Sequence, residues 1–113
     1  MNLLEKAREI KFMVSGIDSS DKAERLEGIN YIYTLSNEYG EEAVNTLLEE
    51  FDNNFSDFYE EEGPDSLFIE DGQLYEIYNG QLYEVTGEDS LCHLLRMPKT
   101  QWVINAMKEV GIN

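Results

Sequence analysis

The sequence predicts an α+β domain in which about four to five helices pack against a small three-stranded antiparallel meander. Three observations predict it. In the first half of the chain apolar residues recur at three- and four-residue spacing, as one buried helix face requires. From Ile69 to Val85 the unit Ile-x-(Asp/Asn)-Gly-Gln-Leu-Tyr-Glu-(Ile/Val) is written twice with Ile77 shared, so that Asp71-Gly72 and Asn79-Gly80 separate runs of aromatic and β-branched residues. That is the signature of consecutive hairpins. After the repeat the helical spacing returns. At 113 residues the chain suffices for one core and is short for two, so a single domain over 1–113 is expected.

Leu3, Ala7, Ile10, Val14 and Ile17 form the first stripe, a helix over about 3–15 that Gly16 should end. Ser19, Ser20 and Asp21 supply N-cap candidates, and Asp21 with Glu24 resembles a capping box opening a helix over about 21–39. Its buried side should carry Leu26, Ile29, Ile32, Tyr33 and Leu35, with Gly40 as a left-handed C-terminal cap. Glu41 and Glu42 suit the positive end of a third helix, over about 41–58, whose stripe runs through Val44, Leu47, Leu48, Phe51, Phe55 and Phe58 until Gly63-Pro64. The meander should span about 67–86. A short helix over about 90–96 with Leu91, Leu94 and Leu95 follows, then one over about 98–110 with Trp102, Val103, Ala106, Met107 and Val110.

The turns decide where the meander's side chains point. Two-residue loops would pair Tyr78 with Gln81 and mix a glutamate into each apolar face. Three-residue loops with Gly in the left-handed bulge position would pair Ile77 with Gln81 and separate the faces. The cleaner segregation favours three-residue loops. Tyr75, Ile77, Tyr83 and Val85 are then expected against the helices, and Leu74, Glu76, Tyr78, Leu82 and Glu84 outside.

Charge is the strongest compositional signal, with 24 acidic against 8 basic residues and a net charge of −16. All eight cations lie before Leu26 or after Leu95, and the 70 residues between contain eighteen carboxylates and no Lys or Arg. Sequence neighbours cannot neutralise these acids, so they impose a negative field. Direct nucleic-acid binding is disfavoured, since phosphate recognition needs cations. The single Cys92 fits a reducing compartment. The charged start and the lack of a long apolar run predict neither signal peptide nor membrane span, and hence a cytoplasmic protein.

No constellation points to catalysis. Cys92 and His93 are adjacent, so on a helix they diverge by about 100° and form no dyad. One Cys and one His make no zinc site, and neither Asp52-Asn53-Asn54 nor Glu60-Glu61-Glu62 has the spacing of a calcium loop. Glu76 and Glu84 occupy equivalent places in the repeat, but lack polar or basic neighbours to orient a substrate. No phosphate loop or nucleophile elbow is present. The expectation is a non-enzyme without metal or cofactor.

The acidic surface itself remains. Carboxylates three or four residues apart on a helix lie roughly 5–6 Å apart at Cβ, and alternate strand positions about 6.7 Å, so a run of them imitates the charges of a nucleic-acid backbone. The candidate partner-binding set is Glu49, Asp52, Asp57, Glu60, Glu61, Glu62, Asp65, Glu70, Asp71, Glu76, Tyr78 and Glu84. In size, acidity and lack of catalytic motifs the chain resembles the small DNA-mimic and anti-defence proteins of phages and mobile elements, anti-restriction and anti-CRISPR proteins among them. The resemblance implies an acidic inhibitor that blocks the basic nucleic-acid surface of a larger protein. The alternative is a small interaction module, such as an immunity protein or regulatory subunit, anchored by Tyr75, Tyr78 and Tyr83.

Overall fold

The computed structural model describes residues 2–56, 66–78, 80–88 and 100–112, with side chains other than those of 51–56, 66 and 78. Among the described residues, four helices pack against a three-stranded antiparallel sheet, as the α+β reading requires. The expected helix over about 90–96, the turn at Gly63-Pro64 and the pair Cys92-His93 lie outside the described residues.

Helix α1 (Leu3–Ser15) starts where the Asn2 side chain accepts the Glu5 N–H at 2.8 Å, and it buries Ala7, Ile10 and Val14 on the expected stripe. Gly16 does not stop the chain with a positive φ. The helix tightens into a 3-10 turn over Gly16–Asp18, which carries Ile17 into the core. Helix α2 (Lys22–Tyr39) is capped by Asp21, whose carboxylate accepts the Ala23 N–H at 2.9 Å. The expected capping box is split by Ser19. Its hydroxyl accepts the Asp21 N–H at 3.1 Å and bonds the Glu24 carboxylate at 2.5 Å, so Glu24 reaches a side chain and not the cap backbone.

Ile29, Ile32 and Leu35 are buried on α2 as expected, whereas Leu26 remains 39% exposed. Gly28 lets α1 and α2 approach: a Cβ there would lie 2.6 Å from the Met13 carbonyl oxygen. Gly40 has the expected positive φ of 95°, but its ψ of 152° is extended and not helical. One residue thereby turns the chain from α2 into helix α3 (Glu41–Ser56), which buries Val44, Leu47 and Leu48. Helix α4 (Thr100–Val110) buries Val103, Ala106 and Met107. At its end Gly111, at φ 83°, lets the Ile112 N–H reach the Met107 carbonyl, and Ile112 closes the core beneath it.

Strands β1 (Ser66–Glu70), β2 (Gln73–Tyr78) and β3 (Gln81–Glu84) follow one another across the sheet. The register corrects the three-residue-loop expectation. Glu70 pairs with Gln73 and Tyr78 with Gln81, so both hairpins have two-residue loops. Asp71 and Gly72 have φ of 51° and 80°, the pair of left-handed residues that a type I′ turn demands. The twist of that turn matches the twist of the strands, and Asp-Gly adopts it cheaply. Turn chemistry therefore outweighs the segregation of the faces.

The faces move accordingly. Leu67, Ile69, Leu74, Glu76 and Val85 are buried on the inner side, so Leu74 and Glu76 are corrected from outward to inward. Tyr75 and Ile77, expected inside, lie on the outer side with Leu82 and Glu84. Polar side chains on the helices pin this register. Asn45 of α3 donates to the Ile69 carbonyl at 2.8 Å and accepts the Ile69 N–H at 2.7 Å. Glu41 accepts the N–H groups of Asp71 and Gly72 at 3.2 and 2.7 Å, and the Tyr33 hydroxyl accepts the Leu74 N–H at 3.1 Å. At the other side, Arg25 donates to the carbonyls of Ser19, Gly87 and Glu88, while Leu26 packs on Gly87.

Candidate interaction surface

An open groove of about 440 Å³ runs between α3 and β1. Glu41, Glu42 and Glu49 stand on its helical side, and Phe68 and Glu70 on its strand side. Its shape follows from the Asn45 bonds to Ile69, which hold the strand edge against the helix. Glu41 is engaged with the turn, whereas Glu42, Glu49 and Glu70 are exposed. Two helical turns separate Glu42 from Glu49, which spaces their backbones roughly 10 Å along the groove. Among the described residues no lysine or arginine lines it.

Phe68 joins this groove to the outer face of the sheet. Its ring stacks on Tyr75 with centroids 5.6 Å apart and planes inclined by 30°. Tyr75 pairs in turn with Glu84, and the next row of the same face pairs Ile77 with Leu82, which are 40% and 54% exposed. The outer face is thus a half-buried aromatic stack beside two exposed aliphatic side chains, bordered by the carboxylates of Glu70 and Glu84.

The described cations mostly serve the fold. Lys22 bonds Glu88 at 2.7 Å, and this neighbour holds the Glu88 carboxyl below the ordinary carboxylate value. The Lys6 ammonium lies 5.6 Å from the centre of the Tyr39 ring, and Lys11 reaches the Thr100 hydroxyl at 3.4 Å. Tyr31 donates to Glu9 at 3.0 Å, and burial together with that carboxylate pushes its phenol above the ordinary value. These contacts place positive charge on α1 and the start of α2, none of whose residues lines the α3–β1 groove among the described residues.

Of the sequence-derived candidates, Glu49, Glu70, Asp71 and Glu84 are exposed, and Glu49 and Glu70 face the same groove. Glu76 is corrected: it is 0% exposed with both carboxylate oxygens shut off from solvent, because the two-residue loop turns it inward. Glu76 and Glu84 therefore lie on opposite faces and share no site. The backbone of Asp52 belongs to α3, and Tyr78 closes the second hairpin. Asp57, Glu60, Glu61, Glu62 and Asp65 lie outside the described residues. Sequence reasoning missed Phe68, which the Asp-Gly turn places opposite Tyr75 once a two-residue loop is assumed. It also left Glu41 among the helix-start residues, although Glu41 clamps the first hairpin.

Two further grooves border the helices: one of about 380 Å³ beside Tyr39, Glu42 and Glu109, and one of about 250 Å³ beside Phe12, Met13 and Glu24. Among the described residues no group of His, Cys, Asp and Glu is arranged to hold a metal ion, and no helix is long and apolar enough to cross a membrane. Comparison with protein-family models, curated proteins and solved structures finds no match.

Proposed function

We propose that this protein is a non-enzymatic acidic inhibitor, acting in the cytoplasm, that occupies the basic nucleic-acid-binding surface of a larger protein, in the manner of DNA-mimic, anti-restriction or anti-CRISPR proteins. The observation that carries this reading is the open α3–β1 groove, edged by Glu42, Glu49 and Glu70 with no lysine or arginine among its described lining residues, in a chain of net charge −16. Self-repulsion of that size costs stability, and binding a cationic surface offsets it. Association should be fast and should weaken as salt rises.

The test is capture of partners from a host lysate, repeated with competing DNA or RNA and at raised salt. A basic nucleic-acid-binding protein, released by nucleic acid and lost when Glu42, Glu49, Glu70 and Glu84 are all changed to Lys, is the expected result. Capture indifferent to nucleic acid and to this reversal would sink the proposal. A small interaction module is the second reading, and the exposed Ile77 and Leu82 beside the Phe68–Tyr75 stack favour it, since a pure charge decoy has no use for them.

A further inference from the structure

We propose that the outer face of the meander, centred on Phe68, Tyr75, Ile77 and Leu82, docks a lysine- and arginine-rich segment of the partner protein that carries an apolar or aromatic side chain at its middle. The inference rests on the preceding reading that the partner is basic, and it adds which face meets that partner and with what chemistry.

The face is built for contact and left uncovered at its centre. Ile77 and Leu82 are cross-strand neighbours at 40% and 54% exposure, and the Phe68–Tyr75 stack beside them presents a flat aromatic wall. Burying one large apolar side chain there strengthens binding by roughly tenfold or more, so filling this centre is a substantial source of affinity. Tyr75 is of the residue type enriched at interface anchors, and the aliphatic neighbours Ile77 and Leu82 extend the apolar contact around it.

Charge complementarity names the occupant. Glu84 stands opposite Tyr75 on one side of the apolar centre, and Glu70 with the groove carboxylates Glu42 and Glu49 lies beyond Phe68 on the other. Phe68 and Glu84 are two strand spacings apart across β2, about 10 Å. An extended segment with an apolar residue on the stack can therefore reach carboxylates on both sides with its own cations. A second copy of this chain fits poorly, because two molecules of charge −16 repel. An anionic phospholipid surface repels the same carboxylates.

Two fluorescein-labelled peptides test the inference on the full chain: a hexalysine with Gly-Ser at its centre, and the same peptide with Trp-Leu there. Fluorescence anisotropy at low and physiological salt should find the Trp-Leu peptide bound roughly tenfold tighter. The double substitution Ile77→Ser/Leu82→Ser should abolish that preference while leaving hexalysine binding unchanged. Glu49→Gln with Glu70→Gln should weaken both peptides. If the double variant fails to fold by circular dichroism, Leu82→Ser alone supplies the same comparison.

Equal affinity for the two peptides, or a preference that survives the substitutions, overturns the inference and leaves a charge-only inhibitor standing. Binding of neither peptide overturns the inference together with the basic-partner reading.

Discussion

The two copies of Gly-Gln-Leu-Tyr-Glu have the same sequence and opposite environments. In Gly72–Glu76 the leucine and glutamate are both 0% exposed, whereas in Gly80–Glu84 the leucine is 54% exposed and the glutamate faces solvent. The cause is parity. Across a two-residue turn each residue pairs with one of opposite parity, so residues separated by eight positions fall on opposite faces. An even-numbered repeat joined by such a turn therefore cannot present itself twice in the same way. The repeat supplies the leucine and glutamate of one copy to the core and those of the other to the surface, while its tyrosines exchange faces in the opposite sense.

The strongest way to break this comparison is charge reversal at the two glutamates. Glu76→Lys should cost roughly 3–5 kcal/mol, since it forces a cation into a closed site, while Glu84→Lys should stay within about 0.5 kcal/mol. Urea titration followed by circular dichroism measures both, and equal costs would refute the assigned faces. Leu74→Ala should likewise lose about 2–5 kcal/mol in the same titration, against less than about 1 kcal/mol for Leu82→Ala.

Inserting one glycine after Gly80 would make the second loop three residues long and bring the copies onto one face. Because Val85 would leave the core, a loss of about 2 kcal/mol is expected, visible as a lower urea midpoint. The smallest effect sharpens how the copies are held. Tyr33→Phe removes the acceptor of the Leu74 N–H and should cost about 1 kcal/mol. Tyr83→Phe breaks only an exposed bond to Gln81 and should change stability by less than about 0.5 kcal/mol. Amide exchange at Leu74 should accelerate in the first variant and not in the second.

Much of the fold is legible in spacing alone. The stripe of Ala7, Ile10, Val14 and Ile17 and that of Val44, Leu47 and Leu48 are buried as their periodicity requires, because a helix has no other face to offer the core. The register was not legible by the criterion of clean faces, which presumes that a glutamate never points inward. Glu76 does, and Asp71-Gly72 follows its local preference for a type I′ turn. The groove was legible only in part. Glu49 and Glu70 stand out as acids, but their meeting across α3 and β1 depends on Asn45 reaching Ile69, a contact between residues 24 positions apart that no local pattern announces.

That asparagine has a consequence for assembly. Its amide donates to and accepts from Ile69 just as the peptide group of a neighbouring strand would, so at that residue the edge of β1 is satisfied as though a fourth strand were in place. Among the described residues β1 and β3 are the edge strands, and Ile69 is the β1 residue whose outward N–H and carbonyl Asn45 takes up. A strand adding to β1 would have to displace that side chain, which makes this edge a poor template for pairing. Asn45 thereby blunts part of one sheet edge with a single side chain, without a covering strand.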